Sequence, residues 1–383
     1  MKHGSDIHEK LEREVYTPVE VEISKKVDVF GLKIWNIIQG LRILRDTGLT
    51  RELEVWGVVD GNVVNGIIDG LSYRNPDPEL EDDVISSRGG SQSPPNSQQP
   101  KLFSEFFPTG TPADKLVYIT DVKTRASMSP PSKPQVRGTI IQLFLYHRFL
   151  SEMASGKLDY ISTFERYGLD PDDTFSDVFM AQIGALRDEI FGSSEKDSDT
   201  SDSCCSDTSD SEGGTEFVSA VSSSSKLKVG LEDNTQEPPE TLKYRTLRAL
   251  IPLLKFGIQL TFPKGANSVG QIVAVEYRYR QRGRANSDEG DSNDERRNGS
   301  VICTNTHFVE PEILDLYLKD DMQWWRGERE PRGVSLDEAF KCRSCEFVDT
   351  CEWRDNLDQE ALRKAKKKGE ARIRKKEGTP PTW

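Results

Sequence analysis

The segment that decides the fold runs from residue 52 to residue 73 and reads ELEVWGVVDGNVVNGIIDGLSY. Two extended and mostly apolar stretches, Glu52–Val59 and Val63–Tyr73, flank the sequence Asp60-Gly61-Asn62. An Asp-Gly pair between two such stretches is one of the strongest local signals for a β-hairpin. The second stretch contains Gly66-Ile67-Ile68-Asp69, which places a carboxylate on an apolar strand. The segment therefore predicts two paired strands at the centre of the fold.

Patterns typical of helices and further strands surround this hairpin. Before it, Asp6–Tyr16 predicts a short helix with its first residue as the N-cap, and Lys26–Asp46 predicts a long helix. After it, Lys115–Thr124 predicts a third strand and Gly138–Ala154 another helix. The remaining predicted elements are helices at 174–190 and 310–326 and a late hairpin at 271–280 and 300–308. This order predicts an α/β fold with a mixed central sheet flanked by helices.

The negative charge of the chain is concentrated in three short blocks. The 383 residues carry a net charge of −13, and the blocks at 77–83, 195–212 and 288–295 carry −5, −6 and −5. The rest of the chain is therefore at about +3. Each block lies in a polar stretch, at about 75–113, 192–241 and 281–300, that is too poor in apolar residues to offset the entropy of ordering. We therefore predict three long disordered insertions.

Composition excludes several classes of protein. The best apolar run, Ala249–Phe262, is interrupted by Lys255 and is shorter than the ~18 residues that a transmembrane helix needs. The first residues have no apolar core typical of a secretory signal. Six cysteines are too few and too unevenly spaced for a disulfide scaffold. We expect a protein without a membrane segment, and a monomer.

Two acidic residues on neighbouring predicted strands form a candidate metal site. Asp69 and Asp121 could share a divalent cation, and Mg²⁺ prefers such hard oxygen ligands. Lys123 lies two residues after Asp121 on the same strand, so both side chains point to the same face of the sheet. There the lysine could orient an attacking water. An Asp-x-Lys pattern alone is a weak signal, because an exposed pair on a strand explains it equally well.

Three further residues are informative about function only when their order along the chain is considered. Gln142 and Tyr146 are four residues apart on a predicted helix, so they share a face, but such pairs also occur on ordinary amphipathic helices. His8 lies on the first predicted helix, and a single histidine is more often structural than a ligand. The informative feature is the combination of helix histidine, strand aspartate, Asp-x-Lys and Gln-x₃-Tyr in this sequence.

A group of cysteines near the C-terminus is the second candidate site. Cys342, Cys345 and Cys351 have the spacing C-x₂-C-x₅-C. Zinc usually takes four nearby nitrogen or sulfur ligands, and no fourth lies close in sequence. Iron–sulfur clusters also take four thiolates, but one of them can come from a distant part of the chain. Three structural thiols or a zinc knuckle remain the alternatives.

These motifs resemble those of a known family. The segments are Gly4–Glu12, Gly66–Asp69, Asp121–Arg125 and Gln142 with Tyr146, and they resemble the RecB-type branch of the PD-(D/E)xK nucleases. Together with the terminal C-x₂-C-x₅-C-E-W sequence they closely resemble the exonuclease V family, from about Gly4 to Arg354. The resemblance implies a nuclease domain over 1–354 with a PD-(D/E)xK (RecB-like) core, an iron–sulfur motif at 342–351 and a basic tail at 355–383.

The resemblance also implies roles for individual residues. The metal ligands would be His8, Asp69 and Asp121. The catalytic residues would be Asp69, Asp121, Lys123, Gln142 and Tyr146. Arg125 and Tyr146 would contact the DNA strand, and Cys342, Cys345 and Cys351 would bind a [4Fe–4S] cluster. Asp121 stands where many members have Glu, and the family pattern tolerates both.

One feature of the family is missing from this sequence. Its first cluster cysteine precedes the helix that carries His8, and no cysteine precedes that helix here. We expect that the start of the protein has been lost, together with any mitochondrial transit segment. Otherwise the cluster is incomplete, or Cys303 replaces the missing ligand. Cys204 and Cys205 lie in a predicted disordered insertion and do not match the family position.

The function implied is a Mg²⁺-dependent exonuclease specific for single-stranded DNA. It would act from free ends and release short oligonucleotides, in DNA maintenance and repair in the mitochondrion or the nucleus. The segment 361–376 carries nine bases against one acid and could bind phosphates, act as a nuclear-import signal or be a solvated helix face. The alternatives are a non-catalytic, cluster-bearing nucleic-acid-binding protein and an acidic interaction scaffold.

Overall fold

The computed structural model describes residues 2–87, 115–192, 226–229, 244–281 and 298–377. The predicted insertions therefore lie mostly outside the described residues, as do Cys204, Cys205 and the last six residues of the tail. The helices are α1 (Lys2–Arg13), α2 (Lys26–Thr47), α3 (Pro78–Ser87), α4 (Lys133–Ala154), α5 (Tyr160–Arg166), α6 (Asp177–Gly192), α7 (Leu247–Thr261), α8 (Pro311–Trp325) and α9 (Glu352–Glu377). The strands are β1 (Thr17–Glu20), β2 (Leu49–Val59), β3 (Asn62–Ser72), β4 (Val117–Arg125), β5 (Lys226–Val229), β6 (Val269–Tyr279) and β7 (Val301–Phe308).

These elements form two compact units. The first contains Met1–Pro131 and Thr139–Leu314, and the second contains Ser132–Gly138 and Asp315–Trp383. The cysteine motif predicted at 342–351 and the tail predicted from 355 both fall in the second unit. None of the helices in the described ranges has the length and apolar composition needed to span a bilayer.

A five-stranded mixed sheet in the order β2-β3-β4-β6-β7 is the centre of the first unit. β2, β3 and β4 are antiparallel neighbours, β4 and β6 run parallel, and β7 is antiparallel to β6. The predicted mixed α/β sheet with flanking helices is therefore confirmed. The predicted hairpin is β2–β3, and its turn residues Asp60 and Gly61 have φ of 50° and 76°. Positive φ at both central residues is the geometry of the tight turns that favour Asp-Gly.

Helix α2 is buried on several sides because it packs against both α7 and β2. Leu32, Ile34 and Leu44 are fully buried. The helix ends at Gly48, whose φ of 83° is accessible to glycine at little cost and lets its N–H bond to the Leu44 carbonyl. Helix α4 packs on the hairpin, where Met153 Sδ accepts a hydrogen bond from the Trp56 N–H at 3.5 Å. The sheet and these helices give the site a rigid support.

Three elements differ from the sequence-based predictions. Helix α1 begins at Lys2, so Asp6 lies inside it and is not its N-cap. Helix α3 lies within the stretch 75–113 that was predicted to be disordered. Strand β5 lies within the second such stretch, 192–241, and pairs with β1 near the start of the chain. Polar contacts anchor α3: Asp77 accepts hydrogen bonds from the Leu80 N–H and the Thr306 hydroxyl. Composition measures apolar burial and therefore misses a segment that is fixed by side-chain hydrogen bonds.

The second unit has no hydrophobic core among its described residues. None of them is buried, and Leu336 and Phe347 are 73% and 70% exposed. Its contacts are largely polar, such as the pairing of Arg329 with Asp320 and of Arg137 with Asp337 at 3.2 and 3.6 Å. A unit of this size needs another source of stability, such as a bound metal or cluster.

Candidate active site

Three carboxylates lie in one row across the first three strands of the sheet. Arg51 pairs with Gly70 and Leu53 with Ile68, so Glu52 of β2 lies opposite Asp69 of β3. Gly70 pairs with Thr120, which places Asp69 opposite Asp121 of β4. Side chains opposite each other on neighbouring strands share a face of the sheet. The hairpin and the third strand thus bring together acids that are 17 and 52 residues apart in sequence.

Strands β3 and β4 stop pairing at this row. Their last paired residues are Gly70 and Thr120, and the next β4 donor, the Val122 N–H, bonds instead to Asp69 Oδ2 at 2.6 Å. The aspartate side chain thus replaces a backbone acceptor of the sheet. Its second oxygen, Oδ1, lies on the side of His8, 3.8 Å from the ring Nδ1.

Helix α1 carries His8 to the row of acids. Ile7 and Leu11, one and three residues away, form a small buried cluster with Val122 of β4. His8 Nδ1 lies 3.4 Å from Glu52 Oε1, and ligand atoms of His8, Glu52 and Asp69 all lie within 4.8 Å of one another. The hydrogen bond with Glu52 raises the pKa of His8, burial opposes this, and the charge of Asp69 raises it further.

Asp69 is held in an environment that disfavours its charge. Burial raises its pKa, the Asp121 carboxylate raises it further, and His8 and the Val122 N–H act in the opposite direction. The result is a pKa of about 7 instead of 3.8. A bound cation would remove this penalty, because it favours the charged form of both carboxylates.

Lys123 forms an ion pair with Asp121. The Lys123 Nζ lies 3.0 Å from Asp121 Oδ1 and 2.9 Å from Oδ2. Burial by itself lowers the pKa of Lys123, but the charge and hydrogen bond of Asp121 outweigh it and raise the pKa overall. The lysine therefore stays charged and would act as a cation near the phosphate, not as a proton acceptor. Asp121 is 1% exposed, and its buried Oδ2 lacks a hydrogen bond of acceptable geometry.

Gln142 and Tyr146 of α4 cover the same part of the sheet. Gln142 Nε2 donates a hydrogen bond to Tyr146 Oη at 2.9 Å. Tyr146 is also close enough to Lys123 to contribute, after Asp121 and Asp69, to the raised pKa of the lysine. The Tyr146 ring packs directly on Gly66 of β3, where a Cβ atom would lie 2.3 Å from the ring carbon Cε1. The glycine that precedes Asp69 by three residues thus makes room for the tyrosine.

This packing yields a prediction for Gly66→Ala. The new methyl group must displace the Tyr146 ring or the strand, so we expect a loss of about 1–3 kcal/mol in the free energy of unfolding and a displaced Tyr146. Urea unfolding and cleavage rates would measure both effects. Gly138→Ala is the matched control: nothing lies within 4 Å of its Cβ position in α4, so it should be neutral or stabilising. Equal stability of the two variants would contradict this account of Gly66.

Arg125 extends the site along β4. It follows Lys123 by two residues, so it lies on the same face of the strand. Its guanidinium carbon lies 6.0 Å from the centre of the Tyr277 ring on the neighbouring β6. This cation–π contact fixes an arginine two positions beyond the lysine, where it could meet the phosphate backbone of a substrate.

Glu52 is a site residue that the sequence motifs did not identify. It has φ of 51°, a left-handed conformation that is uncommon for a residue with a side chain. Such strain is often found at functional sites, and here it accompanies a carboxylate directed at His8. A signal existed in the sequence, since Glu52 is the first residue of the predicted strand Glu52–Val59, but acids at strand ends are too common to single it out.

The three cysteines belong to the second unit. Cys342, at the end of the 3₁₀ helix Leu336–Ser344, and Cys351 are half-buried, whereas Cys345 is exposed. Their sulfurs do not all lie within 4.8 Å of one another among the described side chains, although a tetrahedral zinc site would hold its sulfurs about 3.8 Å apart. The arrangement thus gives no support to a preformed zinc knuckle.

The donor set in the first unit fits a divalent cation. His8, Glu52 and Asp69 already converge, and Asp121 adds a buried carboxylate whose only described ion pair is with Lys123. Carboxylate oxygens suit Mg²⁺, which keeps several waters when bound by few protein ligands. A convergent acid row with an adjacent charged lysine, carried on a mixed α/β sheet, is the kind of site that metal-dependent hydrolases use.

Comparison with known proteins places the chain in a family. A family model described as exonuclease V, a 5′ deoxyribonuclease, matches residues 1–354, so the chain belongs to the exonuclease V family. A curated zebrafish (Danio rerio) protein named Exonuclease V is 22% identical over 357 residues, which cover 92% of this chain. The match covers 61% of that relative, so the chain spans less than two thirds of its length.

The raised pKa of Asp69 predicts how pH and metal affect stability. In the folded, metal-free protein the carboxyl keeps a proton up to a pH of about 7, whereas the unfolded chain releases it near 3.8. The free energy of unfolding should therefore fall as pH rises between these values. Mg²⁺ competes with this proton, so its thermal stabilisation should be greater at about pH 8 than at about pH 6. Melting curves with and without MgCl₂ test this, and Asp69→Asn should remove the difference.

Proposed function

We propose that this protein is a Mg²⁺-dependent exonuclease specific for single-stranded DNA, built on a PD-(D/E)xK (RecB-like) core. It would act from free ends and release short oligonucleotides, in DNA maintenance in the mitochondrion or the nucleus. The observation that carries the proposal is the convergence of His8, Glu52 and Asp69 beside the buried Asp121 and its ion-pair partner Lys123. Membership of the exonuclease V family, described as a 5′ deoxyribonuclease, supports DNA as the substrate.

The metal ligands would be Asp69, Asp121 and His8, with Glu52 as a further candidate. Bound Mg²⁺ would lower the pKa of a coordinated water and neutralise charge on the scissile phosphate. Lys123 would orient the water and add positive charge on the same face. With water as the nucleophile, hydrolysis would be direct and would form no covalent intermediate.

The remaining residues would hold the DNA strand. Tyr146 offers an aromatic ring at the edge of the acid row, and its hydroxyl is fixed by Gln142. Aromatic rings stack on unpaired bases, which favours a single strand over a duplex. Arg125, held on Tyr277, would contact the next phosphate.

We propose further that Cys342, Cys345 and Cys351 bind a [4Fe–4S] cluster. Three thiols within ten residues, in a unit whose described side chains form no core, fit a group that supplies folding energy. The second unit contains no fourth cysteine, so the remaining ligand must come from elsewhere.

A substrate panel tests the proposed activity. Single-stranded, blunt duplex and circular single-stranded DNA, each labelled, are incubated with the protein in MgCl₂ and in EDTA. We expect short oligonucleotides from the linear single strand in MgCl₂ alone, while the circle and the duplex persist, because cleavage needs a free end and unpaired bases. Labels at the 5′ and 3′ ends report the polarity. DNA binding without cleavage of any substrate would favour a non-catalytic, cluster-bearing binding protein.

A further inference from the structure

The middle of α9 carries a strongly basic surface with no assigned role. Five bases, Arg363, Lys364, Lys366, Lys367 and Lys368, lie within its described side chains, and nine bases lie between residues 361 and 376 against the single acid Glu370. We name the five described residues the basic segment. Every described side chain from Asp358 to Glu370 is exposed, and Leu362 is 69% exposed.

The basic segment does not stabilise its own helix. Residues three and four positions apart on a helix are neighbours, so Arg363 faces Lys367 and Lys364 faces Lys368. Each such like-charged pair destabilises a helix by about 0.2–0.5 kcal/mol. Lys364 pairs with Glu360 at 2.6 Å, and in the described part of the chain no ion pair joins the other four bases to an acid.

Two ordinary explanations for such a helix fail here. Basic residues are favoured near a helix C-terminus, but that effect extends over the last turn only, and the basic segment lies in the middle of Glu352–Glu377. A helix that is polar on all sides either connects domains through solvent, is stabilised by many ion pairs, or is not stable by itself. With few ion pairs and no buried face among the side chains described up to Glu370, α9 has a charge pattern that suits contact with a polyanion.

We propose that the basic segment of α9 binds the phosphate backbone of single-stranded nucleic acid and is a second contact surface of this protein, separate from the candidate active site. The inference rests on the proposed function, which makes DNA the ligand. It also addresses an electrostatic difficulty: the three carboxylates of the candidate site outnumber the cations Lys123 and Arg125, so a separate basic surface would help to attract a polyanion.

The experiment compares salt dependence of binding. The reference protein and the test variant both carry Asp69→Asn, so that labelled oligo(dT) is bound without cleavage. Fluorescence anisotropy gives their affinities over a range of salt concentrations. In the test variant all five residues of the basic segment become glutamine, which keeps a high helix propensity. Each lost phosphate contact lowers the slope of log affinity against log salt by about 0.7 on a single strand, so full engagement would lower it by about 3.5.

Two control variants show whether a change in slope is caused by the loss of charge in the basic segment. Replacing the four lysines of the segment with arginine keeps the charge, and the slope should stay unchanged. A second control neutralises an equal number of exposed bases scattered over the first unit, and it should affect the slope less than the test variant does. Its members are Lys115, Lys157, Arg245, Lys255 and Lys264.

The outcomes separate this inference from the proposed function. A fall of about 0.7 or more in the test variant, and a smaller one in the scattered control, supports the phosphate-binding surface. A smaller change in the test variant, or an equal fall in the scattered control, overturns it. A slope that hardly changes in the test variant would be expected if the segment binds an acidic protein instead. Cleavage is measured separately with Asp69 restored, so an inactive protein whose slope still responds would refute the proposed exonuclease and leave this surface in place.

Discussion

Asp69→Asn is expected to reduce Mg²⁺-dependent cleavage of single-stranded DNA by about a thousandfold or more, because it removes a metal-binding carboxylate. The same change should make the metal-free protein more stable near pH 8. There the native Asp69 is charged against the penalty of burial and of the Asp121 carboxylate, which together raise its pKa to about 7. Asparagine lacks this charge and keeps an oxygen that can accept the Val122 N–H.

Asp121→Asn is the informative partner of this variant. It should lose activity to a similar extent, but without the gain in stability, because Lys123 loses the partner that lies 2.9–3.0 Å away. Melting temperatures without metal and initial cleavage rates in MgCl₂ separate the two variants. If either retained wild-type activity, the acid row would not be the catalytic site. If Asp69→Asn were destabilised near pH 8, the electrostatic account of the row would be wrong.

Replacing Cys342, Cys345 and Cys351 with serine is expected to unfold the second unit while the first stays folded. Clustered-cysteine sites in small domains contribute on the order of 10 kcal/mol to folding, and this unit has no buried side chain among its described residues that could compensate. Hydrogen exchange measured by mass spectrometry should show loss of protection over residues 315–370 and retained protection in β2, β3 and β4. The purified variant should also lose iron and the broad absorbance near ~400 nm typical of such clusters.

Ser344→Ala, between Cys342 and Cys345, is the matched control and should retain both iron and protection. Unchanged exchange in the triple variant would show that the thiols carry no structural group. Iron content of a Cys303→Ser variant then identifies the fourth ligand: loss of iron would assign that role to Cys303, and full retention would exclude it.

The parts of the fold that could be predicted from sequence are those fixed by local chemistry. Asp60-Gly61 predicted the hairpin because few residues tolerate positive φ at both turn positions. The mixed sheet followed from the alternation of strand and helix patterns. Helix α3 was missed because Asp77 is fixed by a hydroxyl 229 residues away, on β7, and such a contact leaves no local pattern.

The residues of the candidate site likewise include some that the sequence indicates and one that it does not. His8, Asp69, Asp121 and Lys123 were accessible through the order of motifs, and the strand register explains why that order brings three of them together. Glu52 was not accessible, because its place opposite Asp69 depends on the hairpin register and on a strained backbone conformation. Residue type and spacing identify groups on one strand or helix, whereas residues supplied by a neighbouring strand appear only when the pairing is known.

The small apolar contact between α1 and β4 has a consequence for how the site assembles. Ile7, Leu11 and Val122 form the buried cluster beside His8, and a cluster of three side chains holds a helix weakly. A metal bound jointly by His8 and the strand acids would hold α1 against the sheet. Tighter metal binding would then make the docked position of the helix more stable. If the proposed metal site is occupied in this way, α1 would be expected to detach before the sheet unfolds when free Mg²⁺ is low, and cleavage would stop while the sheet stays folded.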